Sequence, residues 1–102
     1  MAIQNTTLTS TAADILPSTG NRAITVMYFY NSDASTVTIN LFAVPNGETL
    51  GAEHTIYGQF EVLSNDTLVV DTEKLLLDDG DALKATATTD NVVHVTCSYT
   101  NI

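Results

Sequence analysis

Few side chains in this sequence are suited to covalent or acid–base chemistry: one cysteine, Cys97, two histidines, His54 and His94, and a run of aspartates at Asp71, Asp78, Asp79 and Asp81. Nucleophilic catalysis needs a nucleophile, a base within hydrogen-bond reach and a group that orients the base. His94 and Cys97 stand three positions apart in a segment that reads as a strand, so their side chains point to opposite faces and cannot pair directly. His54 would have to be delivered from elsewhere in the chain. Cys97 therefore reads as a small buried apolar residue and His94 as a surface or interface residue.

The four aspartates place hard oxygen ligands within eleven residues, a composition that suits calcium. The helical calcium loop, however, needs glycine at its sixth position and glutamate at its twelfth, and this stretch has neither. It reads as a hairpin turn whose carboxylates bond local backbone N–H groups. Acid pairs for glycoside hydrolysis are always available among twelve carboxylates, but most of these sit in or beside turns. One cysteine excludes a disulfide framework and a zinc site built from several thiolates. No catalytic, metal-ligating or cofactor-binding residue is assigned.

What must position any function is a small scaffold. A chain of 102 residues is expected to form a single domain over its whole length. Hydrophobic residues make up 44% and charged residues only 15%, so neutral polar groups, 17 threonines among them, must cover much of the surface. Three cations (Arg22, Lys74, Lys84) oppose twelve carboxylates, a formal charge of −9. Nucleic acid and anionic membranes are poor partners for such a chain, because both require clustered Lys and Arg. No apolar run approaches the ~20 residues of a spanning helix. The opening Met-Ala-Ile-Gln-Asn lacks the basic head and apolar stretch of a signal peptide. The chain is thus expected to work where it is made, or in a particle assembled there.

Periodicity two dominates. Over residues 22–30, Ile24, Val26, Tyr28 and Tyr30 alternate with Ala23, Thr25, Met27 and Phe29, and both sides are apolar enough for a central strand. Over residues 35–44, Val37, Ile39, Leu41 and Ala43 oppose Thr36, Thr38 and Asn40, with Phe42 the exception on the polar side. Pro45-Asn46-Gly47 is a turn. Residues 54–63 read as a strand in which Gly58 marks a bulge or a close backbone approach. Residues 67–70 and 73–77 are shorter strands. After the turn at Asp78-Asp79-Gly80-Asp81, Leu83, Ala85 and Ala87 alternate with Lys84, Thr86 and Thr88. In the last strand Val93, Val95, Cys97 and Tyr99 oppose His94, Thr96, Ser98 and Thr100. A helix over residues 73–84 is rejected, because Gly80 amid three aspartates interrupts it.

Seven to nine short strands with turns every eight to twelve residues predict an all-β antiparallel β-sandwich, jelly-roll-like in type. Residues 1–16 read either as an extended N-terminal arm or as an ordinary edge strand. Tyr28-Phe29-Tyr30 puts rings on both faces of one strand, and the Tyr28 and Tyr30 side is assigned to the sandwich core in preference to a subunit contact. Phe42 is assigned to a subunit interface. Ile3, Leu8, Tyr28, Tyr30, Phe42 and Tyr57 make up the candidate interface residues.

Three stretches carry a resemblance: Ala-Ile-Gln-Asn-Thr-Thr-Leu at residues 2–8, Arg-Ala-Ile-Thr-Val-Met-Tyr-Phe-Tyr-Asn at 22–31, and Glu-Lys-Leu-Leu-Leu-Asp-Asp-Gly-Asp-Ala-Leu at 73–83. With the acidic, lysine-poor, threonine-rich composition, they resemble the small virion structural proteins of tailed bacteriophages, especially phages of marine bacteria and cyanobacteria. That resemblance implies a non-enzymatic protein of the virion, assembled in the host cytoplasm. Its most fitting role is a capsid decoration or cement subunit that stabilises the head shell, with a tail, neck or fibre component as the alternative. It implies self-association as a homotrimer and contact with the major capsid protein or other virion proteins. From a different class, a carbohydrate-binding β-sandwich module would use exposed Tyr and Asp residues, with or without calcium. That reading predicts a concave aromatic and acidic patch, whereas a structural subunit predicts an apolar contact surface.

Overall fold

The computed structural model describes residues 2–71 and 75–102. Among them, nine strands form two antiparallel sheets packed face to face in an all-β sandwich, as the alternation predicts. In chain order the strands are β1 (Ala2–Thr7), β2 (Ala13–Asp14), β3 (Arg22–Asn31), β4 (Val37–Val44), β5 (Thr55–Val62), β6 (Thr67–Val70), β7 (Leu76–Leu77), β8 (Ala82–Ala87) and β9 (Val93–Asn101). A single 3-10 turn, Ala52–His54, precedes β5. One sheet runs β1-β9-β3-β6, with β7 also paired to β3, and the other runs β2-β8-β4-β5.

The pairing is nested. β4 pairs with β5, β3 with β6 and β7, β2 with β8, and β1 with β9. The chain is thus one long hairpin with its tip near residues 45–54, rolled over so that β9 also pairs with β3 and β8 with β4. Turn chemistry sits where the bends are. Glu48 N–H closes on Pro45 O at 3.1 Å with Gly47 at φ 84°, and Asp81 N–H closes on Asp78 O at 3.0 Å with Gly80 at φ 91°. The described part of the segment 73–84, rejected above as a helix, holds β7 and the first half of β8. Glu73 and Lys74, included in the expected strand over residues 73–77, lie outside the described residues.

The core follows the alternation closely in three strands. Leu83, Ala85 and Ala87 of β8, Val93, Val95 and Cys97 of β9, and Val37, Ile39 and Leu41 of β4 are all buried, and Phe42 lies on the opposite side of β4. Burying a side chain such as Phe29 or Leu41 stabilises the fold by about 1.5–3 kcal/mol before the entropy of ordering it is charged.

In β3 the expected phase is corrected. Met27 and Phe29 are fully buried, while Tyr28 and Tyr30 are 41% and 40% exposed. The cause is a bulge: Ile24 pairs with Tyr99 and Val26 with Ser98, so Thr25 is an extra residue in the ladder. Before it Arg22 and Ile24 face inward, and after it Met27, Phe29 and Asn31 do. A second correction concerns Leu8, expected at an interface and found fully buried in the core. Its backbone N–H still bonds Val93 O, at 2.9 Å, while the chain turns away from β1 towards the other sheet. Residues 2–7 and 13–14 are edge strands of the two sheets.

Candidate functional site

The residues capable of chemistry are kept apart. Cys97 points into the core, where burial pushes its thiol up to about 11, so at neutral pH it stays protonated and a poor nucleophile. His94, on the outer side of the same strand, is exposed, with Nδ1 3.0 Å from Thr7 Oγ1 and Nε2 3.3 Å from Ser32 Oγ. His54 is buried as the last residue of the 3-10 turn before β5. Gly51 N–H donates to its Nδ1 at 3.0 Å, which leaves Nε2–H to donate to Glu48 Oε1 at 2.9 Å. That geometry holds a loop closed; neither Cys97 nor His94 is among the hydrogen-bond partners of His54.

The aspartates likewise act on backbone. Asp81 accepts Asp78 N–H and Asn46 N–H, both at 2.9 Å, one on each carboxylate oxygen, and Asp79 accepts Gly20 N–H at 2.6 Å. Among the described residues no group of three His, Cys, Asp or Glu side chains is gathered as a metal ion would need. One concavity of about 180 Å³ is lined by Ala43, Val44, Pro45, Leu75, Leu76, Leu77 and Asp81, and another of about 390 Å³ on the second sheet is lined by the polar side chains Thr38, Asn40, Gln59, Glu61 and Thr88 with no aromatic ring among them.

An extended surface without carboxylates is the outer face of the β1-β9-β3-β6 sheet. Register places Thr7, His94, Tyr30 and Thr67 side by side across the four strands, then Asn5, Thr96, Tyr28 and Val69, then Ile3, Ser98 and Val26. Beyond the bulge, Ala23 stands between Thr100 and Leu76. None of these carries a formal charge unless His94 is protonated. Ile3, Val69 and Leu76 are 68%, 46% and 74% exposed, and the Tyr30 ring stacks on His94 with centroids 6.5 Å apart. Every described carboxylate lies instead on the other sheet, as Asp14 and Glu61 do, or in the connections. The bulge at Thr25 creates this face, because it turns Tyr28 and Tyr30 outward.

Of the six interface candidates, Ile3, Tyr28 and Tyr30 share this face and Leu8 is in the core. Phe42 and Tyr57 belong to the second sheet, where Phe42 is half-buried between Thr55 and Lys84. Tyr57 packs partly on the core and meets Phe60 edge-on at 5.4 Å. Val69 and Leu76 escaped the sequence reading, because an exposed apolar residue in a short strand cannot be told from a buried one without the register. Comparisons with protein-family models, with curated proteins and with solved structures find no match to this chain.

Proposed function

We propose that this protein is a non-enzymatic structural subunit of a tailed-bacteriophage virion, acting as a self-associating decoration or cement protein on the head shell. The observation that carries the reading is the uncharged outer sheet face. In a chain of net charge −9, keeping every described carboxylate off one face while exposing Ile3, Tyr28, Tyr30, Val69 and Leu76 there makes a surface suited to being covered by another protein. The resemblance of residues 2–8, 22–31 and 73–83 to virion proteins supplies the partner class. The sandwich itself is proposed to be a jelly roll. Two four-strand orders built from nested pairs of a rolled hairpin support that topology.

A carbohydrate module would bring aromatic rings and carboxylates together in a concavity. Here the rings of Tyr28 and Tyr30 line a sheet face whose cross-strand neighbours are His94, Thr96, Thr67 and Val69, with no carboxylate among them. A tail or neck position differs from the head only in which virion protein covers that face.

The test is co-sedimentation with empty head shells of the matching phage, with and without a chelator. The wild-type chain is expected to pellet with shells irrespective of chelator. Tyr28→Asp, which places a carboxylate in the middle of the face without touching the core, is expected to stay in the supernatant while keeping its far-UV spectrum. Absence of wild-type binding, or equal binding by Tyr28→Asp, would overturn the proposal.

A further inference from the structure

Two sheets present four lateral edges, and three of them are blunted in the ways that keep strands from joining. β2 is two residues long and carries Asp14. β5 is irregular, with two register shifts against β4 and Gln59 at φ 54°, and it carries Glu61. β6 has four residues bracketed by Asp66 and Asp71. β1 is different: six residues with no charge, no proline and an unbroken register against β9.

The free side of β1 can be read from one bond. Leu8 N–H donates to Val93 O while Thr7 is set opposite His94, so Thr7 and His94 are a non-hydrogen-bonded pair of the ladder. Alternation then assigns Thr6, Gln4 and Ala2 to β9, and turns the backbone N–H and C=O groups of Ile3, Asn5 and Thr7 outward. Among the described residues these outward groups have no backbone partner. A bare edge of this kind is completed by another extended strand.

We propose that the occupant is β1 of a second copy, in an isologous two-fold pair centred on Asn5. An antiparallel strand related by that axis sets Asn5 against Asn5 of the other copy and Ile3 against Thr7, each pair exchanging both N–H···O bonds. Shifting the register by two residues would strand one outward residue, so only the Asn5-centred alignment satisfies all three. Two chains of charge −9 repel overall, and β1 is an edge at which they meet without setting like charges against each other, since none of its six residues is charged. The pair joins two sheets into one and sets their uncharged outer faces side by side. It makes the assembly even-numbered, in place of the trimer implied by resemblance. It is a property of the chain alone and does not rest on the virion reading.

Sedimentation equilibrium of the purified protein, without shells, tests it with two variants. Asn5→Pro removes the central outward N–H, which the β1–β9 ladder does not use, and proline is tolerated at such an edge position. Asn5→Lys keeps that N–H but opposes two like charges at the axis. The wild-type chain is expected to show the mass of two chains and both variants the mass of one, with unchanged far-UV spectra. A wild-type monomer or trimer, or a dimer that persists in Asn5→Lys, overturns the proposal; a monomer would leave the edge open to a strand of another protein. Shell binding is read separately, so failure here is distinguishable from failure of the virion reading.

Discussion

Arg22 is one of three cations in the chain, and it is buried to 1% exposure at the start of β3. Its guanidinium donates to Gly20 O, Asp78 O and Asp81 O, each at 2.8 Å, and to Pro17 O. One planar fork thus ties the loop before β3 to the turn between β7 and β8, a geometry that a lysine point charge cannot span. Removing it leaves buried carbonyls without donors. Arg22→Ala is expected to cost about 3 kcal/mol, lowering Tm by roughly 10–20 °C, and Arg22→Lys to recover less than half of that. Urea denaturation checks both, and a loss under about 1 kcal/mol for Arg22→Ala would contradict the assigned role. The sequence shows Arg22 only as a scattered cation, because its four acceptors are backbone atoms brought together from residues 17–20 and 78–81. Cys97, by contrast, was legible as a core residue, since its alternation with His94 in a regular strand already separates inside from outside.

At the scale of elements, phase matters as much as strand identity. β3 shows period two along its whole length in sequence, but the extra residue at Thr25 inverts the pattern halfway. Thr25 Oγ1 donates to Ser98 O at 2.9 Å across the irregularity. With Thr25 kept in a straight ladder the strand would have to bury either Arg22 and Ile24 or Met27 and Phe29, whereas deleting Thr25 leaves all four on one face in unbroken alternation. The deletion variant is therefore expected to keep cooperative unfolding, and Thr25→Ser, which keeps the hydroxyl, should unfold within about 1 kcal/mol of wild type. Thermal melts followed by circular dichroism decide this, and a deletion variant that loses cooperative unfolding would show that Thr25 is not the extra residue that sets the phase. The bulge in β5 was foreseeable from Gly58, where glycine interrupts a strand pattern. Thr25 gives no such sign, because threonine is an ordinary strand residue.

For the whole molecule, the nested pairing makes the first strand and the last neighbours, so the β1-β9-β3-β6 sheet cannot be completed until both chain ends are in place. Such non-local topology belongs to the slower-folding class. The carboxylates that crowd the connections repel one another in the compact state, opposed among the described residues by Lys84, paired with Asp14 at 2.8 Å, and by the Arg22 guanidinium at the Asp78–Asp81 turn. Raising salt from about 10 mM to about 150 mM shortens the screening length from ~30 Å to ~8 Å. Tm is expected to rise over that range, and calorimetry at matched protein concentration checks it. A fall in Tm would mean that favourable ion pairs outweigh the repulsion.

By itself the sequence determined the all-β class, the turns at Pro45-Asn46-Gly47 and Asp78-Asp79-Gly80-Asp81, the core faces of β4, β8 and β9, and the lack of a legible nucleophile–base pair. These rest on alternation, turn chemistry and residue type, which act over a few neighbouring positions. Only the tertiary structure decided that Tyr28 and Tyr30 face outward, that Leu8 lies in the core, that Arg22 braces two distant turns, and that β1 keeps an open edge among the described residues. Each of those depends on register and on contacts between segments far apart in the chain, where a one-residue shift reverses every side chain without changing a single residue type.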